Sequence, residues 1–263
     1  MGVVDEEVIG LTVKDQSASE ALFTTNGETV LLRLTEPDGV QLKTEQTTGL
    51  YHLALLLPTR TNLAQVVRHF VQNEVRFDSG DHLVSEALYL ADPDGNGIEI
   101  YTDRQPHEWN WDNGEVAMTT DPVDFESLLQ EKTTDKWQGL PENTVMGHIH
   151  LQVSNLAENE KFYIDGLGFS VVNRYGNAAL FISSHDYHHH IALNTWSSRH
   201  ARHADQLETG LAAYTIMFPD EETITQKIAQ LKEIGVTVHE ENGTYYTYDP
   251  SRIKILLRVD TSN

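Results

Sequence analysis

Apolar residues recur along this chain in two rhythms. The run GLYHLALLLP, starting at Gly49, is apolar almost throughout and predicts a strand from Leu50 to Leu57, with His52 as its one imidazole. Leu63, Val66, Val67, Phe70 and Val71 then fall at the spacing of one helical face. Strands are expected around Arg76, Leu88 and Ile98, and DPDGNG between the last two is hairpin-turn chemistry. Strand, helix and three strands make one module.

The module recurs with a period of about 160 residues. GLYHLALLLP is echoed by GLAAYTIMFP from Gly210, and YLADPDGNGIEIY by YTYDPSRIKILL. VIGLTV and EALFTTNGETVLLRL near the start are echoed by GLGFSV and AALFISSHDYHHHIALNTW. The chain therefore divides into four related modules: 1–46, 47–104, 146–200 and 201–263, with a connector at 105–145. In module three, HIHLQV is a strand, Asn155 an N-cap and Gly166 a helix stop. Module four has helical spacing at Ile224, Ile228 and Leu231, ending near Gly235. Module one opens on VDEEVIGL, which corresponds to the end of a helix in module three, so it is expected to lack its first strand. The connector is expected to hold a helix opened by Asp121 and Pro122 and carrying Phe125, Leu128 and Leu129. The fold class is α+β, with four βαβββ modules, the first truncated.

Composition narrows the chemistry. A formal net charge of −22 repels phosphate backbones, which disfavours a nucleic-acid partner. No apolar run approaches membrane-spanning length, and the start lacks the features of a signal peptide, so a cytoplasmic location is expected. Cysteine is absent while histidine occurs 13 times, so a transition-metal site has to be built from imidazole and carboxylate.

Residues of that kind stand inside otherwise apolar strands: His52 and Glu99 in module two, His148 in module three, with His190 near the last strand of module three. In module four, Ala213 and Lys254 take the places of His52 and Glu99 and cannot hold a divalent cation. Each has a plain alternative. A lone strand histidine is more often packed in a core than a ligand. Glu99 points away from Ile98 and Ile100 and could simply face water. His82 reads equally as a loop residue beside Asp81, and Tyr89 as a packed strand aromatic. His188 and His189 read as exposed residues at a strand entry. His150 shares a strand face with His148 and is expected to line the same pocket.

The stretches TTGLYHLALLLPTR, DHLVSEALYLADPDGNGIEIYTDR (followed by QP), GHIHLQVSNL and YHHHIALNTW resemble the vicinal oxygen chelate superfamily, which includes glyoxalases, bleomycin-resistance proteins and extradiol dioxygenases. The likeness is greatest to Bacillus-type catechol-2,3-dioxygenases. It covers residue 6 to the end and is densest in 47–104 and 146–196.

The resemblance implies two half-barrel domains of curled sheet. Modules two and three would pair around the metal, and modules one and four would form the other half. It implies iron(II) on His52, Glu99 and His148, with open positions for a small aromatic diol and O2. His190 would be the acid–base group, and His82 and Tyr89 would orient substrate and oxygen. The spacing of ten positions between Tyr89 and Glu99 is that of the dioxygenases. A second reading is a glyoxalase-type lyase or isomerase, with His190 as a fourth ligand on zinc, nickel or manganese. A third is a metal-free small-molecule-binding or resistance protein. A homo-oligomer is left open.

Overall fold

The computed structural model describes residues 8–133 and 136–260. The fold is α+β, and the chain forms two compact units: Met1–Val40 with His52–Ile149, and Gln41–Tyr51 with His150–Asn263.

The first unit opens with an antiparallel sheet of β1 (Thr12–Gln16), β2 (Glu20–Thr24) and β3 (Leu32–Thr35), in that order. The expected helix end in VDEEVIGL falls largely outside the described residues. Strand β4 (Gly49–Leu56) leads to helix α1 (Arg60–Gln72), then β5 (Asp78–Asp81), β6 (Ser85–Ala91) and β7 (Gly97–Asp103). The strand expected around Arg76 begins instead at Asp78. A short hairpin follows, β8 (Trp111–Asp112) and β9 (Glu115–Val116), and then α2 (Phe125–Leu128). The connector helix is thus a single turn, capped by Asp124, whose side chain accepts from Ser127 N–H, and not by Asp121. Asp121 is drawn into a backbone pair with Asp81, which leaves it extended. Strand β10 (Val145–Gln152) lies beside β4, giving the order β10-β4-β7-β6-β5.

Alternation along these strands separates two faces. Leu55, Leu88, Ile98 and Ile100 are buried with Leu63, Val66, Val67 and Phe70 of α1, in a core that also takes in Ala21 and Phe23 of β2. Each of the valine, leucine, isoleucine and phenylalanine side chains among them contributes about 1.5–3 kcal/mol of transfer free energy. Val71 is 64% exposed, because about 100° per residue carries it to the rim of the helix's apolar stripe. The opposite face carries His52 and Ala54 on β4, Glu99 and Tyr101 on β7, and Ala87 and Tyr89 on β6.

The DPDGNG turn sets the register of that face. Asp92 accepts from the backbone N–H groups of Asp94 and Asn96 and from the Asn96 side chain. Gly95 supplies the positive φ of 82° that the turn requires. With β6 and β7 so joined, Tyr89 stands directly opposite Glu99, and Ala54 of β4 lies on the other side of Glu99.

In the second unit, α3 (Leu156–Lys161) starts at Asn155, whose side chain accepts from Ala157 and Glu158 N–H. The helix widens into a π-helical turn that ends at Gly166. Strands β11 (Ser170–Tyr175), β12 (Ala179–Ser183) and β13 (Ile191–Asn194) form an antiparallel set, with β13 beside β10. Strand β14 (Tyr214–Phe218) leads to α4 (Glu221–Glu233), β15 (His239–Glu241), β16 (Thr244–Tyr248) and β17 (Lys254–Val259), in sheet order β14-β17-β16-β15. Here Leu256 stands opposite Tyr246 and Thr215, as Glu99 stands opposite Tyr89 and Ala54. The counterpart of Glu99 in module four is therefore Leu256, not Lys254. A leucine there excludes a metal ligand more firmly than a lysine would.

Candidate metal centre

His52, Glu99 and His148 converge. One oxygen of Glu99, Oε2, lies 2.9 Å from His52 Nε2 and 3.1 Å from His148 Nε2. All three residues are buried, and their donor atoms lie within 4.8 Å of one another. Burial pushes the Glu99 carboxyl up, but the charges of His148 and His52 and their hydrogen bonds outweigh it and hold the group well below the usual carboxylate range. Glu99 therefore does not face water.

The donor set fits a divalent transition metal. With metal–ligand bonds of roughly 2.1 Å, cis donors around an octahedron stand about 3.0 Å apart and tetrahedral donors about 3.4 Å. The observed 2.9 and 3.1 Å agree with the octahedral value. An imidazole N–H donated to the carboxylate gives similar separations, so the cluster can hold either protons or a cation. Two imidazoles and one carboxylate leave half an octahedral sphere open.

Close packing orients these side chains. The Tyr101 ring lies 4.7 Å from the His148 ring, centroid to centroid. A side chain at Gly147 would overlap the Tyr101 hydroxyl and Leu56, so glycine lets β10 lie close against β4 with the Tyr101 side chain of β7 reaching over to it, beside His148. Tyr101 and Gly147 were not singled out from sequence, although Tyr101, two positions after Glu99, shares its strand face.

Tyr89 and His82 form a second layer. The Tyr89 ring stands 5.5 Å from the His52 ring, and its hydroxyl is 2.6 Å from His82 Nε2. His82 Nδ1 is 2.7 Å from the Thr119 carbonyl, which can only accept. The proton of neutral His82 is therefore assigned to Nδ1, and Nε2 accepts from the Tyr89 hydroxyl. The loop is pinned by Arg104, which donates to both Asp81 oxygens at 2.7 Å, and by the Asp81–Asp121 backbone pair. A Cβ at Gly80 would press on the His82 ring.

The remaining candidates belong to the second unit. His150 is buried, accepts from Asn194 Nδ2 at 3.0 Å and lies edge-on to Tyr51 and Trp196. His190 Nδ1 is 2.9 Å from Ser183 Oγ and 3.3 Å from Ser184 N. His188 and His189 are not the exposed residues expected: they are 0% and 8% exposed, with their Nδ1 atoms 2.8 Å apart. His188 packs on Tyr187 and His189 on Phe181, which offsets the loss of water around the rings.

The comparisons with known proteins point the same way. The family model "Glyoxalase/Bleomycin resistance protein/Dioxygenase superfamily" matches residues 2–100 and again 145–253. The chain is 43% identical over 246 residues to a protein of Bacillus subtilis (strain 168) named catechol-2,3-dioxygenase, a match spanning 92% of this chain and 86% of that one. Among solved structures, a putative dioxygenase from Bacillus subtilis superposes with a TM-score of 0.63 at 13% identity, over 99% of this chain and 80% of the other. A variant of glyoxalase I from Zea mays superposes with a TM-score of 0.53 at 14% identity, over 97% and 87% of the two chains. At such identities the two structures speak for the fold alone.

Proposed function

Since this chain belongs to the glyoxalase/bleomycin resistance protein/dioxygenase superfamily, we propose that it is an extradiol catechol ring-cleaving dioxygenase using iron(II) and O2. The observation that carries this reading is the buried His52–Glu99–His148 cluster, in a chain 43% identical to a protein named catechol-2,3-dioxygenase. His52, Glu99 and His148 would hold the ion. Iron(II) bound there supplies Lewis acidity toward the diol oxygens and redox coupling between ring and O2.

The chain's own groups do the rest. The Glu99 carboxylate offsets part of the charge of the cation. The Tyr89 hydroxyl gives its hydrogen to His82, so its oxygen is left as an acceptor, which suits a catechol O–H. A proton received there can pass to His82 Nε2, and the resulting imidazolium keeps its Nδ1–H bond to the Thr119 carbonyl. His190 is the group proposed to serve the oxygen side of the reaction. Cleavage of the ring carbon–carbon bond beside the diol places both atoms of O2 in one product, a muconic semialdehyde.

The test is anaerobic reconstitution with iron(II), followed by oxygen uptake with a panel of catechols. One O2 consumed per catechol, with a ring-opened product, is expected. Full iron loading without oxygen uptake on any catechol would reject the reading.

A further inference from the structure

The sheet face that carries the metal centre continues to its edge strand, β5. Register places Glu99 of β7, Tyr89 of β6 and Asp78 of β5 in one cross-strand row. Side chains in such a row share a face, and direct neighbours have their Cβ atoms about 4.5–5.5 Å apart. From Glu99 to Asp78 the row spans two strand spacings, about 9–10 Å. Asp78 is exposed at the rim of this face, and among the described residues its carboxylate has no hydrogen bond or ion pair. Arg76, two residues before it and outside β5, does not bridge to it.

The second unit repeats the row with other residues. Leu256, Tyr246 and His239 take the places of Glu99, Tyr89 and Asp78. There the His239 ring stacks on the Tyr246 ring, at 4.9 Å between centroids and 17° between planes. A side chain at this register position therefore reaches the tyrosine beside it. In the first unit the position holds a charge in place of a ring. On the metal-centre face, strands β4 to β7 carry Asp78, Glu99 and Asp103, and no lysine or arginine occurs anywhere in them. A carboxylate at the rim of such a face favours a cation and disfavours an anion.

We propose that Asp78 determines the substrate class of this site, selecting a catechol that carries an alkylammonium side chain. The inference rests on the ring-cleavage reading, which sets the diol at the metal centre with one hydroxyl toward Tyr89. The ring then lies along the row, and a two-carbon chain para to one hydroxyl carries its terminal group across about two strand spacings, to Asp78. An ammonium there gains an ion pair with the carboxylate, whereas an anionic group meets a like charge. The pair stays in contact with water, so its effect on affinity is a few-fold. Asp78 lies outside the His52–Glu99–His148 ligand set and acts on the side chain of the substrate alone.

The experiment is anaerobic calorimetric titration of zinc-loaded protein, which can bind a diol without turning it over. The ligands are catechols bearing an aminoethyl, a hydroxyethyl or a carboxyethyl chain para to one hydroxyl, and affinities are taken relative to unsubstituted catechol. Wild type should bind the aminoethyl compound about three- to fivefold more tightly than the hydroxyethyl compound and the carboxyethyl compound most weakly, with the differences shrinking at high salt. Asp78→Asn should level the aminoethyl and hydroxyethyl compounds, and Asp78→Lys should invert the order. No preference for the ammonium in wild type, or a preference that survives in Asp78→Asn or Asp78→Lys, would overturn the proposal. Absence of any catechol binding would overturn it together with the ring-cleavage reading. If the order holds and follows residue 78 but the iron(II) form cleaves no catechol, the ring-cleavage reading fails and the selection by Asp78 stands.

Discussion

A single oxygen atom, Glu99 Oε2, holds the centre together by facing both imidazoles. Glu99→Ala should leave two histidines, too few to retain a labile divalent ion, and elemental analysis of the purified variant is expected to find it free of iron. Tyr89→Phe makes a different cut. It removes the oxygen that links Tyr89 to His82, and no ligand. Iron content should stay at the wild-type level while turnover falls by roughly 10²-fold, and normal turnover in an iron-loaded variant would take Tyr89 out of the mechanism. His190→Phe should also keep its metal and turn over at least about tenfold more slowly; loss of metal would make His190 a ligand. His52 and Glu99 were legible in the sequence because polar groups in an apolar strand must be either partnered or solvated, and alternation sets Glu99 apart from Ile98 and Ile100. The burial of His188 and His189 was not legible. Nothing in YHHHIALNTW announces that Tyr187 and Phe181 will pack against them.

At the scale of elements, the site depends on how closely two strands approach. Gly147 lets β10 lie against Tyr101 and Leu56. Gly147→Val should force these apart, at a cost of roughly 1–3 kcal/mol in stability, and weaken metal binding more than a substitution of similar cost in the α1 core. Chemical denaturation and metal titration of the same variant test this, and wild-type metal affinity would contradict it. The helical stripe of α1, the Asn155 cap and the DPDGNG turn were readable because each rests on contacts within a few residues. Strand β5 and helix α2 were misplaced because their limits are set by distant partners. Asp121 pairs with Asp81, and Asp81 is held by Arg104. Those contacts also support the His82 loop, so the least legible stretch of the chain is the one that steadies the second layer of the site.

Across the whole molecule, among the described residues, no helix is long and apolar enough to cross a membrane. A net charge of −22 makes a small neutral or cationic ligand easier to attract than a polyanion. One buried group should govern stability against pH. Burial pushes the Asp249 carboxyl up to about 7, and backbone N–H groups of Ile253 and Ser251 and the Tyr163 hydroxyl only partly offset it. The folded state thus holds this proton more tightly than the unfolded chain. The stabilisation is complete below the ordinary aspartate value and is lost as pH rises through about 7. Asp249→Asn should flatten the fall in Tm between roughly pH 4 and 7 and be the more stable form at pH 8. An unchanged slope would show that Asp249 does not titrate there. The central claim is that a cluster of two imidazoles and one carboxylate supports oxygen insertion, and the most direct measurement is mass spectrometry of the product formed under ¹⁸O2 by the iron(II)-loaded protein. Two labelled atoms in each ring-opened molecule are predicted before any aldehyde exchange with water, with no product from His148→Ala. A product without label would contradict the account.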